Sequence, residues 1–497
     1  MLSFNTPLLI VGFFLVLTLV VGLANKPATT FREYAVGNKR FPTAMLVASI
    51  LGTSFGGGTV IHNVRMIYDH GLLDIIKLIL CSSWIWLTYS VLTLRMTPFM
   101  QHLSIAETIG KVYGKYPRAI TALSCICLYT AIIVGQILAI SIGINMFVDS
   151  VNPHIITAIT TLMIITYATY GGIRSITTTN VLQFISFMII ILLLAKLMYI
   201  KTNKSIPDIV SFLQNEEKFQ LNSLYISKKK YLFFVFLGYL LLLDSLSIHR
   251  IYMCSSPIQA KKVFLYTSFS YLFILFIVSL IGLFVFIANP TLPLREVWPY
   301  VTANISPVFK GWITISILGM AMSTADSCLH ACSIMFSHDI MECITNVNNH
   351  TFYTHQIRIA KLTIIVIGLL AMIIYLYNQN TNTYIYIWSG LIYVSIVIAP
   401  FILAILGFRG TSRTALIGMS TGILVMLSWN KWIRPLAGTL PTFAPILANG
   451  FAMIISHYLL KQPADAGWIR PNDQQKRMRH LIDLFKKHKK IRLNNPY

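Results

Sequence analysis

Charged side chains are scarce in this sequence. Asp, Glu, Lys and Arg make up 11% of its 497 residues, less than half of the share of about 25% that is usual in soluble proteins. Hydrophobic residues reach 56% and gather in runs of about 20, the length that crosses a bilayer as a helix. The shorter alternating segments of an outer-membrane barrel are not found. The composition therefore predicts an all-α polytopic membrane protein.

Acidic residues are the rarer charge, with 16 Asp and Glu against 39 Lys and Arg, for a net charge of +23. The excess lies in the C-terminal tail and in short loops between the runs, which is the positive-inside pattern and not a nucleic-acid surface. We expect the N-terminus outside, the C-terminus in the cytoplasm and a plasma membrane location, specifically a bacterial inner membrane. The basic tail either contacts anionic lipid headgroups or is solvated without a partner.

Signatures of other chemistry are missing. The seven cysteines show no zinc spacing and fall in predicted spans or inner loops, so no disulfide framework is indicated. No Gly-Lys-Ser/Thr phosphate loop supports ATP-driven transport, and no serine or threonine has a base beside it in a nucleophile motif. We therefore predict no enzyme activity and no organic cofactor, and no repeated pore-loop motif indicates a channel.

The hydrophobic runs predict about 13 transmembrane helices. An odd number of spans places the two termini on opposite sides of the membrane, which agrees with the charge of the tail. The loop at 201–230 is counted as external although it is rich in lysine. The predicted spans are 3–24, 42–61, 72–94, 119–147, 154–170, 179–200, 231–247, 263–288, 311–333, 360–378, 383–406, 414–430 and 440–460.

The second predicted span has four glycines between Gly52 and Thr59. Glycine weakens a helix, and a broken helix inside a membrane is found only where protein or a cavity surrounds it. In transporters, carbonyls freed by such a break coordinate coupling ions, and the half-helix ends face the substrate. The alternative is that these small residues only allow close packing against a neighbouring helix.

A second unusual stretch, Gly319–Ser333, is rich in small and hydroxyl residues within the ninth predicted span. The hydroxyls of Ser323 and Thr324 diverge by about 100° on a helix, and the Met320 carbonyl lies one turn earlier. Oxygen atoms in this arrangement suit a hard cation such as Na⁺. Alternatively, both hydroxyls donate to carbonyls of their own helix.

Acidic residues within predicted spans are candidates for function by default. Asp326 lies inside the ninth span, and Asp244 lies near the inner end of the seventh, six residues before Arg250. For Asp244 we expect a local ion pair with Arg250 that fixes the helix end. Either acid is also a candidate for titration in an H⁺-coupled transporter.

Five segments occur in a characteristic order relative to the spans. In this order they resemble the sodium:solute symporter family, which holds the bacterial proline and sugar symporters. The resemblance covers roughly residues 5–460, and the fifth segment is the most specific match. The segments are Tyr34–Pro42, Ser104–Gly114, Tyr170–Gln183, Arg250–Lys262, and Met322–Ser327 followed by Asp339 and Ile340.

The resemblance implies the leucine-transporter-type architecture, with a core of two inverted five-helix repeats. The chain then divides into a first transmembrane helix with its inner loop, a first repeat, an external loop, a second repeat, two peripheral helices and a basic cytoplasmic tail. The corresponding residues are 1–41, 42–200, 201–230, 231–406, 407–460 and 461–497.

The resemblance also implies two binding sites. The sodium ligands would be the carbonyls of Gly52, Phe55 and Met320 and the hydroxyls of Ser323 and Thr324. The substrate would lie beside the ion, lined by Ser54, Gly56, Gly57, Gly58, Thr59, Gln136 and Tyr239. Structural or gating candidates are Asp244, Arg250 and Asp326. Three positions depart from the family, namely Ser54 in place of an acid of the proline symporters, Asn180 in place of Asp, and His249 in place of Gln.

These observations predict a Na⁺-coupled symporter that imports a small organic solute by alternating access. One alternative is a membrane sensor on a transporter scaffold, although the sequence has no output domain. Another is an H⁺-coupled symporter on the same scaffold. The sequence does not define the solute or the oligomeric state.

Overall fold

The computed structural model describes residues 5–147, 152–220, 243–345, 350–377, 382–437, 443–463 and 466–469, together with residues 479 and 483. In these ranges the chain is mainly helical, and one antiparallel pair joins Phe408–Arg409 (β1) to Gly467–Trp468 (β2). The helices of the first half are Thr6–Leu23 (α1), Phe31–Val36 (α2), Thr43–Ser54 (α3), Thr59–His70 (α4), Leu72–Ile76 (α5), Ser82–Arg95 (α6), Ile105–Tyr113 (α7), Lys115–Phe147 (α8), Pro153–Thr202 (α9) and Ile206–Asn215 (α10).

The second half is also helical in the described residues. Short π-helical segments interrupt or extend several helices, as at 335–340 and 394–398. The helices are Ser245–Met253 (α11), Pro257–Ala288 (α12), Val297–Thr302 (α13), Pro307–Ile334 (α14), Met341–Ile344 (α15), His350–Tyr377 (α16), Asn382–Tyr393 (α17), Ala399–Leu406 (α18), Ser412–Ser428 (α19), Arg434–Ala437 (α20) and Phe443–Leu459 (α21).

Many of these helices are membrane-spanning by length and composition. In the described part of the chain, 8 helices are long and apolar enough to cross a bilayer, or 9 if the bent pair α3 and α4 is counted as one span. The helix α9 covers the fifth and sixth predicted spans, and α19 and α21, with 17 residues each, coincide with the twelfth and thirteenth. The protein is thus an integral, multi-pass membrane protein, as predicted.

The predicted break in the second span is confirmed. Helices α3 and α4 are bent by 63° at a short interruption. The last bond of α3 runs from the Phe55 N–H to the Leu51 carbonyl, and a turn then links the Thr59 N–H to the Gly56 carbonyl. Because the helix stops there, the carbonyls from Gly52 onward lose the amide partners that a continuing helix would supply.

The fifth and sixth predicted spans join without a loop. They are two helical segments, labelled together as α9, that meet at a kink where Gly172 has φ +58° and ψ −145°. Glycine adopts a positive φ without steric cost, and a Cβ at Gly172 would lie only 2.7 Å from the ring of Tyr34. The turn between the two spans therefore depends on a glycine that also contacts α2 closely.

The seventh predicted span, 231–247, falls largely outside the described residues, and Tyr239 is among those not described. The described chain resumes at Leu243, and α11 begins directly after Asp244. Because Asp244 caps α11, it lies at a helix start. The sequence placed Asp244 near the inner end of a span finishing at 247, whereas the helix that begins beside it continues to Met253.

Helix α14 lies at the centre of the helical bundle. Every residue from Ser316 to Met335 is buried, and the helix packs against α1, α8 and α9. A helix that is buried on all sides must satisfy its polar side chains inside the protein. The polar residues of α14 are therefore the first place to look for a binding site.

Candidate functional site

The two unusual stretches of the sequence meet in the structure. The Thr324 hydroxyl on α14 lies 3.0 Å from the Thr53 carbonyl near the end of α3 and 3.0 Å from the Met320 carbonyl of its own helix. A Cβ built on Gly52 would lie 3.0 Å from Ser323 Oγ. The absence of a side chain at Gly52 therefore lets the serine hydroxyl approach the backbone beside the break.

The Ser323 hydroxyl is buried and has no hydrogen-bond partner in the described part of the chain. Leaving a buried hydroxyl unpaired costs about 1–3 kcal/mol. The alternative of an intrahelical hydrogen bond therefore holds for Thr324, through Met320, but not for Ser323. A ligand at this position would remove the cost of the unpaired hydroxyl.

The end of α3 contributes main-chain oxygen atoms to the same place. The carbonyls of Gly52 and Phe55 lie at or beyond the last helical hydrogen bond, and the Thr53 carbonyl accepts from Thr324. Carbonyl and hydroxyl oxygens are the ligands that hard cations take in proteins. Thr53 was missed from the sequence, although it lies between two residues of the predicted ligand set.

A cavity of about 620 Å³ lies beside this point. Five of the predicted substrate residues line it, namely Ser54, Gly56, Gly58, Thr59 and Gln136. Four aromatic residues that the sequence did not single out also line it, namely Trp86, Tyr89, Tyr271 and Tyr386. They come from α6, α12 and α17, which are remote along the chain, so no local pattern could reveal them.

Gly57 does not line this cavity. A Cβ on Gly57 would lie 3.0 Å from both the Ala321 side chain and the Ile317 carbonyl, which places the residue against α14. Its N–H donates to Gln136 Oε1 over 3.1 Å, and this bond fixes Gln136 at the cavity wall. Gly57 therefore allows close packing against a neighbouring helix, which was the alternative role for these glycines. Its neighbours Gly56 and Gly58 face the cavity.

The predicted ion pair between Asp244 and Arg250 was wrong. Asp244 Oδ2 accepts from the Ser247 N–H at 2.9 Å and from its hydroxyl at 3.0 Å, as an N-cap does. In the described chain the Asp244 carboxylate bonds to Ser247 and not to the Arg250 guanidinium. Arg250 instead donates to the hydroxyls of Ser327, at 2.9 Å, and Thr53, at 3.4 Å. The amides at the start of α11 satisfy the acid, and the arginine points towards α3 and α14.

Asp326 is enclosed within the bundle. Its Oδ2 accepts from the Tyr167 hydroxyl at 2.7 Å, and its Oδ1 accepts from the Ser327 hydroxyl at 3.3 Å. Asn180 donates to Ser327 at 3.3 Å, so these polar groups link α9 to α14. Asp326 is absent from the lining of the cavity, which favours its structural role over solute contact.

Charged residues also join α7 and α8 to the segment 335–344 that follows α14. Arg118 forms salt bridges to Asp339 at 2.8 Å and to Glu342 at 2.9 Å, and Glu107 pairs with His338 at 3.2 Å. Burial alone would raise the pKa of Glu107, but the hydrogen bond and charge of His338 outweigh it and lower this pKa to about 2. The cluster holds two of the five family-like segments together.

Comparison with known proteins found similarity to a symporter in part of the sequence and to another in the fold. No model of a known protein family matches the chain. Over 162 residues the chain is 26% identical to sodium/proline symporter 2 of Staphylococcus saprophyticus, and the alignment covers 31% of each protein. The match therefore spans about a third of the length of this curated relative.

The fold is similar to that of a Na⁺-coupled sialic acid symporter in a substrate-bound, outward-open state. The TM-score is 0.80 over 94% of this chain and 99% of the other, with 18% sequence identity. A weaker match, with a TM-score of 0.47 and 10% identity, is to a manganese transporter of Eremococcus coleocola and covers 92% of this chain and 94% of the other.

Taken together, the helices and the broken span define a multi-pass membrane protein with the fold of a Na⁺-coupled symporter. The chain is thus similar to a sodium/proline symporter over part of its sequence and to a Na⁺-coupled sialic acid symporter in its fold.

Proposed function

We propose that this protein is a secondary active transporter that couples the inward flow of Na⁺ to the import of a small organic solute. The observation that carries the proposal is the unpartnered hydroxyl of Ser323, buried beside the interrupted end of α3. A buried polar group without a partner is expensive to maintain. A bound cation would take the Ser323 hydroxyl oxygen as a ligand and so remove that cost.

The ion would be held by main-chain and hydroxyl oxygens only. The proposed ligands are the carbonyls of Gly52, Phe55 and Met320 and the hydroxyls of Ser323 and Thr324. The hydrogen bond from Thr324 to Thr53 already links the two helices over 3.0 Å, and Na⁺ would strengthen this link through further oxygens. Sodium would therefore bind best in conformations that keep α3 against α14.

Coupling follows from the shared position of the two sites. Gly56, Gly58 and Thr59, which follow the proposed ion ligands of α3, are also at the wall of the cavity. An ion that fixes the end of α3 would also fix the wall against which the solute binds, so that each ligand favours the other. Loss of Na⁺ to a cytosol low in sodium would then release both.

The similar proteins support sodium more directly than any one solute. The names of both symporters include sodium, whereas one names proline and the other sialic acid. We therefore propose Na⁺ as the coupling ion. For Gln136, Ser54, Gly56, Gly58 and Thr59 we propose contact with the solute, and Tyr239 stays a prediction outside the described residues.

The placement in the membrane is also proposed. We infer an external N-terminus, a cytoplasmic C-terminus and a bacterial inner membrane from the distribution of Lys and Arg. The basic tail would contact anionic lipid headgroups, and no nucleic-acid partner is proposed. The division into two repeats, peripheral helices and tail keeps the boundaries given above.

Transport in liposomes tests the proposal. Purified protein is reconstituted, and solute uptake is measured under an inward Na⁺ gradient, under a pH gradient without sodium, and without any gradient. We expect solute to accumulate only with the Na⁺ gradient. Accumulation driven by the pH gradient alone would establish H⁺ coupling instead, and binding of solute without accumulation would favour a sensor.

A further inference from the structure

One carboxylate, that of Asp244, faces the cavity beside the proposed sodium site. In the stretch 243–253, which is fully described, Asp244 alone is partly accessible, while the residues on both sides of it are buried. Among the described residues, the other charged residue of the cavity wall is Arg250. The accessible charge that a solute meets at this part of the cavity is therefore negative.

The structure keeps this carboxylate in place at the start of a helix. Asp244 caps α11, and its Oδ2 accepts two hydrogen bonds from Ser247. The N-terminus of a helix stabilises a negative charge. Its main chain is fixed as well, because the Tyr89 hydroxyl hydrogen-bonds to the Asp244 carbonyl at 3.2 Å. Hydrogen bonds thus hold the carboxylate in a fixed position in the cavity wall.

Aromatic rings surround the same part of the cavity. The ring centroid of Trp86 lies 5.8 Å from that of Tyr89 and 5.6 Å from that of Tyr271. All three residues line the cavity. The face of an aromatic ring attracts a cation, most strongly in tryptophan. The wall next to Asp244 therefore suits a positively charged group with apolar substituents.

Trp86, which lines the cavity, also carries a donor without a hydrogen-bond partner in the described chain. The indole Nε1 of Trp86 is buried and has no hydrogen-bond partner among the residues described. Indole nitrogen only donates, so its partner must be an acceptor, such as a hydroxyl or carboxylate oxygen. Acceptor oxygens therefore belong near Trp86, and the positive group belongs near Asp244.

Arg250 does not cancel the charge of Asp244 for a solute. Arg250 also lines the cavity, but its guanidinium is buried and already donates to the hydroxyls of Ser327 and Thr53. An anion without a positive group would meet the accessible carboxylate of Asp244 first. Like charges at an interface disfavour binding and select against the wrong partner.

We propose that the transported solute carries a positively charged nitrogen, as a protonated or quaternary amine, which pairs with Asp244 beside the rings of Trp86 and Tyr271. An acceptor oxygen of the same solute takes the Trp86 Nε1 hydrogen. This inference rests on the proposed function, because it names the substrate class of the proposed solute site. It assigns Asp244 to solute recognition and leaves sodium with Ser323 and Thr324.

The test compares solutes of different charge in proteoliposomes under an inward Na⁺ gradient. The probes with a positive nitrogen are L-proline, glycine betaine and choline, and the probes without one are pyruvate and D-glucose. We expect accumulation of at least one probe from the first group and of none from the second. Accumulation of pyruvate or glucose alone would overturn the substrate class while leaving sodium symport intact. Failure of every probe to accumulate would also overturn the substrate class, and sodium binding by the same purified protein would show that the ion site stands apart from it.

The variant Asp244→Asn tests the residue. Asparagine caps a helix as well as aspartate does, so the substitution removes the charge and keeps the hydrogen bonds to Ser247. We expect the half-saturating concentration of the amine to rise about tenfold or more, with sodium half-saturation changed less than about twofold at saturating solute. The matched control is Asp69→Asn, since Asp69 is exposed on α4, and it should behave as the parent.

Two results would overturn the assignment of Asp244. One is unchanged amine uptake by Asp244→Asn, and the other is a large loss of sodium affinity with amine affinity preserved, which would make Asp244 part of ion coupling. The variant Trp86→Phe gives an independent measurement, because it keeps an aromatic ring and removes the donor. It should also raise the half-saturating amine concentration, and no change would contradict the proposed acceptor contact.

Discussion

At the scale of single residues, Ser323 and Thr324 are adjacent hydroxyls with opposite roles. Thr324 has partners in both its own helix and α3, so it contributes to stability without any ion. Ser323 is also buried and has no partner in the described chain, so its unpaired hydroxyl lowers the stability of the folded protein unless an ion binds. A pair of substitutions can therefore separate packing from ion binding.

We predict different effects of Ser323→Ala and Thr324→Ala on stability in a sodium-free potassium buffer. Thr324→Ala removes the bond to Thr53 and should lower the free energy of unfolding by about 1 kcal/mol. Ser323→Ala removes only an unpaired polar group and should be neutral or stabilising. Thermal unfolding of the purified variants in detergent measures both effects.

A suitable control is Thr314→Ala on the same helix. The Thr314 hydroxyl is buried and donates to the Lys310 carbonyl at 2.9 Å, away from the break. It reports the cost of losing an intrahelical bond alone. A larger loss of stability for Ser323→Ala than for Thr324→Ala, without sodium, would contradict the assignment of their roles.

The sequence alone indicated which residues are unusual at this site, but not which residues they contact. The glycines near the break and the hydroxyl pair were evident from composition, because small and polar residues are unusual in a membrane helix. The partner of Arg250 was not evident. A sequence separation of six suggested Asp244, whereas the folded helix turns Arg250 towards Thr53, 197 residues away along the chain.

At the scale of elements, glycine sets where the helices turn. The break between α3 and α4 was predictable because several glycines lie together. The turn inside α9 depends on Gly172 with its positive φ, and the sequence indicated only a loop there. A second glycine, Gly171, precedes it, and the local sequence does not tell which of the two adopts the unusual conformation.

We predict that Gly172→Ala destabilises the protein. A side chain at φ +58° is strained, and its Cβ would lie 2.7 Å from the Tyr34 ring, so the free energy of unfolding should fall by more than about 1 kcal/mol. Thermal unfolding and the yield of folded protein measure the change. The control Gly12→Ala, where no atom lies within 4 Å of the added Cβ, should be neutral or slightly stabilising. Equal stability of the two variants would contradict the role given to Gly172.

At the scale of the whole molecule, the sequence predicted the class of polytopic helical membrane protein. It did not predict the contacts between residues that are distant along the chain. Hydrophobic runs of spanning length define a polytopic helical protein, because a lipid environment permits few other structures. The aromatic wall of Trp86, Tyr89 and Tyr271 is assembled from helices distant in sequence. Its members look like ordinary membrane residues until the fold brings them to one cavity.

The central claim is that one ion joins the end of α3 to the centre of α14. If sodium binds the folded protein, its stability should rise with sodium concentration by mass action. The rise should depend on Ser323, whose hydroxyl has no other partner among the described residues. Conformational coupling to the solute then follows, because α3 also forms part of the cavity wall.

The most direct test is the binding of radioactive sodium to the purified protein, compared between the parent, Ser323→Ala and the control Thr314→Ala. The account predicts saturable binding by the parent and the control, and an affinity about tenfold or more weaker for Ser323→Ala, because a ligand of the ion is lost. Equal sodium affinity for the parent and Ser323→Ala, in correctly folded protein, would contradict the account.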